Sequence, residues 1–153
     1  MALPEARFNE IYERYADTIY RVCFTCLRNK QDAEDAVQSS FYKLLRNPPP
    51  GGGTNIKAWL ITCAKNTCTD ILRRGYRKEV TLEDWYAHSE SRDETRDLVF
   101  DLPQRERLAV YLHYYEGYTA AQIGTMLGKN ESTVWGYLHK GRKKLKQWIQ
   151  EDI

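Results

Sequence analysis

The chain has 153 residues, 42% of them hydrophobic and 29% charged, with 23 Lys+Arg against 21 Asp+Glu and a net charge of +2. That balance is ordinary for a globular protein. No window approaches the roughly 18–20 apolar residues that span a bilayer, and Met1-Ala2-Leu3-Pro4-Glu5 lacks the basic-then-apolar order of a signal peptide. A cytoplasmic protein without membrane association is expected.

The near-zero total conceals a pattern. Residues 1–77 carry net +4, residues 78–101 net −5 and residues 102–153 net +3. Two basic blocks around an acidic one suggest two anion-binding modules on a charged tether, although uneven surface charge would give the same numbers. Of the four cysteines, Cys26 and Cys63 fall on apolar stripes, as small core residues do. Cys23-x-x-Cys26 alone is half of a zinc site at most, and Cys63 and Cys68 lie about 140° apart around a helix. Core packing is expected, with no metal and no cofactor.

In chain order, Phe8, Tyr12, Tyr15, Ile19, Val22 and Cys26 recur at spacings of four and three, predicting one buried helical face. A second helix follows Asn29-Lys30-Gln31, capped by Asp32, with Ala33, Ala36, Val37, Phe41, Leu44 and Leu45 inward. The run Asn47-Pro48-Pro49-Pro50-Gly51-Gly52-Gly53 stops it. Thr54 or Asn55 can cap a third helix with Ile56, Leu60, Cys63, Ala64, Thr67 and Ile71 inward. Its opposite face, a sector of about 140°, gathers Lys65, Asn66, Thr69, Asp70, Arg73 and Arg77, with Arg74 beside it. A face so poor in acids suits a polyanion, or is simply wet surface.

Residues 78–101 lack an apolar period and read as an acidic linker, with a helical turn near Leu82–Tyr86. Leu102-Pro103 opens a further helix with Leu108, Tyr111, Leu112 and Tyr115 inward, ended by Glu116-Gly117. Thr119-Ala120-Ala121-Gln122 fits a capping box, and Gly128 a left-handed stop. Asn130 then caps a last helix with Val134, Leu138 and Leu145 inward. A short helix, a glycine turn and a longer helix spell helix-turn-helix, whose second helix enters a major groove. Its outward residues include Glu131, Ser132, Trp135, His139, Lys140, Arg142 and Lys143. Five Lys/Arg among residues 139–146 suit phosphate contacts.

Taken together, these motifs resemble the extracytoplasmic-function (ECF) class of bacterial RNA polymerase sigma factors. Phe8-x-x-Ile11-Tyr12-x-x-Tyr15 resembles the opening helix of the family's second conserved region. Asp32-Ala33-Glu34-Asp35-Ala36-Val37-Gln38-x-x-Phe41 is similar to its polymerase-docking helix. Ala58-Trp59-Leu60-Ile61 and Ala64-x-Asn66-x-x-x-Asp70-x-x-Arg73-Arg74 are similar to the helix that meets the −10 element. Leu102-Pro103, Arg107, Tyr118-Thr119 to Leu127-Gly128 and Thr133-Val134 match the fourth region, which reads the −35 element.

The resemblance implies an all-α fold of two small helical domains, residues 1–77 and 102–153, joined by the 78–101 linker. It implies a promoter-specific initiation factor with no catalytic activity of its own. Its partners would be core RNA polymerase, promoter DNA and an anti-sigma factor. Polymerase docking would fall to Asp32, Glu34, Asp35, Gln38 and Phe41. The −10 element would meet Lys65, Asn66, Thr69, Asp70, Arg73, Arg74 and Arg77. The −35 element would meet Thr119, Glu131, Ser132, Thr133, Trp135, Gly136, His139, Lys140 and Lys143.

Departures from the family pattern are the Pro-Gly run, Gln122-Ile123-Gly124 in place of Glu-Ile-Ala, and Trp135-Gly136 in place of a basic residue and serine. Trp135 can stack, fill space or touch a thymine methyl, or instead be core or anti-sigma contact surface. Gly136 and Gly141 are each expected to weaken the last helix by up to about 1 kcal/mol. A DNA-binding regulator without promoter melting is the nearest rival. An enzyme built on Cys63 or Cys68 with His88, His113 or His139 lacks any nucleophile signature.

Overall fold

A computed structural model describes residues 3–51, 55–74 and 94–151. The described elements are all helical, and the chain divides into two compact units, Met1–Val80 and Thr81–Ile153. No helix among the described residues is long and apolar enough to cross a membrane.

The first unit holds α1 (Glu5–Leu27), α2 (Lys30–Arg46) and α3 (Ile56–Arg73), each packed against the other two. The sequence stripe on α1 holds from Ile19 onward and turns before it. Ile11 is buried, whereas Tyr12 is exposed and Phe8 and Tyr15 are half-buried. Residues Val22–Leu27 are buried on every side, because that end of α1 lies between both partners. Arg28 then takes a left-handed conformation, φ 56°, and its N–H bonds the Phe24 carbonyl, closing the helix.

The cap of α2 is Asn29 rather than Asp32: the Asn29 Oδ1 accepts the Asp32 N–H at 2.8 Å. The helix therefore begins at Lys30, inside the stretch that breaks the apolar pattern, because a cap is set by one side chain and not by periodicity. Asn55, one of the two residues anticipated, caps α3 by accepting from the Ala58 N–H at 3.0 Å. The inner face of α3 is Leu60, Ile61, Ala64, Thr67 and Cys68, so Cys63 lies at its edge. Cys68 meets Cys23 and Cys26 in the core, where its thiol hydrogen-bonds with both. All four cysteines are free thiols.

The second unit begins earlier than the acidic tether allowed. Residues Glu94–Asp101 form α4, and Val99, Phe100 and Leu102 are core residues. The proposed turn near Leu82–Tyr86 lies outside the described residues. Pro103 starts α5 (Gln104–Val110), which widens into a π turn over Tyr111–Tyr115. The Glu116 N–H reaches the Tyr111 carbonyl at 3.3 Å, the five-residue spacing of a π turn. Buried Arg107 donates to the carbonyls of Leu102 at 3.0 Å and Phe100 at 3.4 Å, tying α5 to the end of α4.

Next come α6 (Ala120–Leu127) and α7 (Glu131–Glu151), with α4, α5 and α6 all packed on α7. Gly117 and Gly128 hold positive φ, +78° and +68°, at the two turns, where a Cβ would be strained. Val134, Leu138 and Leu145 are buried as their spacing required, and Gly141 joins them.

Candidate nucleic-acid interface

In the second unit α6 and α7 are each capped at the N-terminus, and Gly128 and Asn130 bound the turn between them. Thr119 and Gln122 form a reciprocal capping box: the Gln122 N–H donates to the Thr119 Oγ1 at 3.1 Å, and the Thr119 N–H to the Gln122 Oε1 at 2.9 Å. The start of α7 is held by Asn130, whose Oδ1 accepts from the Thr133 N–H at 2.8 Å and the Ser132 hydroxyl at 2.9 Å. Gly124 belongs to the same construction. A Cβ there would stand 2.6 Å from the Lys129 carbonyl oxygen, so the turn crosses α6 where only glycine fits without a shift.

This turn presents the outward face of α7. Glu131, Ser132, Trp135, Gly136, His139, Lys140, Arg142 and Lys143 are exposed, and Thr133 is half-buried. Thr119 is exposed, and its hydroxyl accepts one bond as a cap while keeping its O–H to donate. Lys144, inside the same basic run, turns inward to pair with buried Glu106 at 2.9 Å, leaving the remaining cations to the surface. Trp135 is 46% exposed, and the His113 ring from the π turn meets it edge-on, centroids 6.1 Å apart. Nothing in the sequence pointed to His113 here, since the contact joins residues from different helices.

In the first unit, Asn66, Asp70, Arg73 and Arg74 are exposed on α3, with Lys65 and Thr69 half-buried. The Thr69 hydroxyl donates back to the Lys65 carbonyl at 2.9 Å, one helical turn earlier. Arg77 lies outside the described residues. On α2, Asp35 and Gln38 are exposed and Glu34 is half-buried, with Asp35 accepting from the Gln31 amide at 3.2 Å.

Two residues expected on the docking surface are not there. Phe41 is 2% exposed and packs edge-on against Phe8 and Tyr12, so it anchors α2 to α1. Asp32 is 6% exposed at the edge of a cleft of about 590 Å³ between α2 and α3. That cleft also meets Asp35, Asp70 and Arg74, bringing members of the docking and −10 sets to one depression. Lys43 spans from α2 to α3 through a 3.3 Å bond to the Thr67 hydroxyl.

The thiols are poor candidates for chemistry. Cys68 is held well above the ordinary thiol range, first by its hydrogen bond with Cys23 and also by burial, against the opposing bond with Cys26. Burial raises Cys63 as well, opposed by the Lys43 charge. Neither is an activated nucleophile, which needs the opposite shift. Among the described residues no group of three or more His, Cys, Asp or Glu could hold a metal ion.

Residues 11–78 match the family model for sigma-70 region 2, and residues 92–145 that for sigma-70 region 4. The chain is 29% identical to the ECF RNA polymerase sigma factor SigE of Mycolicibacterium smegmatis, over 97% of this chain and 63% of SigE. It is 27% identical to the ECF RNA polymerase sigma factor SigL of Mycobacterium tuberculosis, over 98% of this chain and 93% of SigL. The chain belongs to the ECF class of the sigma-70 family.

It spans less than two thirds of the length of SigE. In fold, it is similar to the sigma factor RpoE in its complex with the anti-sigma factor NepR from Bartonella quintana. There the TM-score is 0.77 at 19% identity, covering 96% of this chain and 99% of that one. In this ECF chain α1, α2 and α3 thus lie largely within the region 2 match, and α5, α6 and most of α7 within the region 4 match.

Proposed function

We propose that this chain is a sigma factor that binds core RNA polymerase and directs promoter-specific initiation. On this reading α7 reads the −35 duplex, and the outer face of α3 meets the −10 region and helps to open it. The observation that carries the reading is the exposed face of α7 behind a turn held by Gly128 and Asn130, with Trp135, His139, Lys140 and Lys143 available to a groove. The amide of exposed Asn66 has both the donor and the acceptor that an unstacked base edge requires.

Polymerase docking is assigned to Glu34, Asp35 and Gln38, while Asp32 and Phe41 position them from beneath. The first module is residues 1–77, the second takes in α4 together with residues 102–153, and the acidic stretch ahead of α4 tethers the two. The chemistry of RNA synthesis belongs to the polymerase, and the chain acts in the cytoplasm, where polymerase and chromosome are. An anti-sigma factor is a further partner: RpoE, of similar fold, is held by one.

Run-off transcription with purified core polymerase tests this reading. The chain is expected to convert non-specific synthesis into transcripts of defined length. DNA binding without directed initiation would instead identify a regulator that has lost promoter melting.

A further inference from the structure

Trp135 breaks the pattern of its helix. The other apolar residues in the first half of α7 turn inward, Val134 and Leu138 being fully buried, whereas the Trp135 indole is held outward. His113 holds it there. A carbonyl oxygen only accepts, so the 2.7 Å contact between His113 Nδ1 and the Tyr118 oxygen places the ring proton on Nδ1. That bond fixes the imidazole plane, and the ring meets the indole at 66°. Beside Trp135, a Cβ at Gly136 would meet nothing within 4 Å, so the surface next to the indole is open. Ser132 and His139, one turn before and after, are both exposed on the same face as Trp135.

Indole chemistry narrows what this surface selects. The ring has one N–H donor and no acceptor, so it cannot pair with the amino groups that adenine and cytosine offer in the major groove. Its apolar surface suits the single apolar group in that groove, the thymine C5-methyl.

We propose that Trp135, braced by His113, selects a thymine in the −35 duplex by packing on its methyl group. Trp135 is the specificity-determining residue and His113 the positioning residue. This inference rests on the placement of α7 in the −35 major groove.

The test uses the full chain bound to core RNA polymerase and duplexes selected by that complex from a randomised library. Each dT of the selected upstream element is then replaced by deoxyuridine, which removes only the methyl. One position is expected to lose about fourfold in affinity, the worth of one buried methyl. Trp135→Ala, a change at an exposed site, is expected to abolish that dT/dU difference while leaving the salt dependence of binding intact.

His113→Ala should shrink the difference, and His113→Phe, which keeps a ring edge but loses the Nδ1–H donor to the Tyr118 carbonyl, should not fully restore it. The proposal is overturned if no position senses the methyl, or if Trp135→Ala still does. Failure to select any duplex overturns the sigma-factor reading itself, and this inference with it.

Discussion

Gly141 of α7 lies against Val110 of α5: a Cβ added at Gly141 would stand 2.7 Å from the Val110 Cγ2, with Leu102 and Glu106 close behind. Val110 is buried and β-branched, so it has little freedom to move aside. Gly136, on the same helix, faces open space. The two glycines that look alike in the sequence therefore have opposite consequences.

Gly136→Ala should stabilise the region 4 unit by up to about 1 kcal/mol, the helix propensity gain. At Gly141 the same gain is outweighed by overpacking, which costs about 1–3 kcal/mol. Gly141→Ala should therefore destabilise the unit or leave it no better. Denaturant unfolding of the two variants side by side checks the sign.

Asp35 and Gln38 are exposed, whereas Phe41 one turn later fills an aromatic contact with Phe8 and Tyr12. Asp35→Ala with Gln38→Ala should weaken binding to core polymerase without moving the unfolding midpoint. Phe41→Ala should cost about 3–5 kcal/mol of stability, as loss of a buried phenyl ring does. Calorimetry beside a polymerase pull-down separates the two effects.

Cys68 retains its proton in the folded chain beyond the pH at which an unfolded thiol gives its proton up. The folded state then binds more protons, so stability must fall as pH rises past the ordinary thiol value of about 8.5. Below that pH the contribution is fully present. Cys68→Ala should flatten this alkaline decline in denaturation curves taken from pH 7 to 10. In the native chain Cys63, the least buried of the four, should be alkylated first.

Lys140 is exposed on α7 beside the groove-facing residues. Replacing it with alanine should weaken DNA binding across sequences and reduce the salt slope by about one. A titration of affinity against salt concentration reads this directly.

Most caps and core-facing stripes of this fold were legible in the sequence, although the α2 cap proved to be Asn29, and contacts between helices were not. The Thr119–Gln122 box, the Asn130 cap and the Gly128 stop each depend on residues within three or four positions, so their spacing declares them. Helix α4 was hidden because Val99 and Phe100 are adjacent among charged neighbours, leaving no period to detect. The period of α2 placed Phe41 inward while the motif placed it on the docking surface, and its burial sides with the period, because a motif records position but not burial. The His113–Trp135 contact joins a π turn to another helix, and nothing at either residue announces the other.

The most direct measurement is to map the 5′ ends of transcripts made by core RNA polymerase on bacterial genomic DNA with and without the chain. The account predicts new discrete start sites that share two upstream elements at a fixed separation. Start sites unchanged from those of core polymerase alone would contradict it.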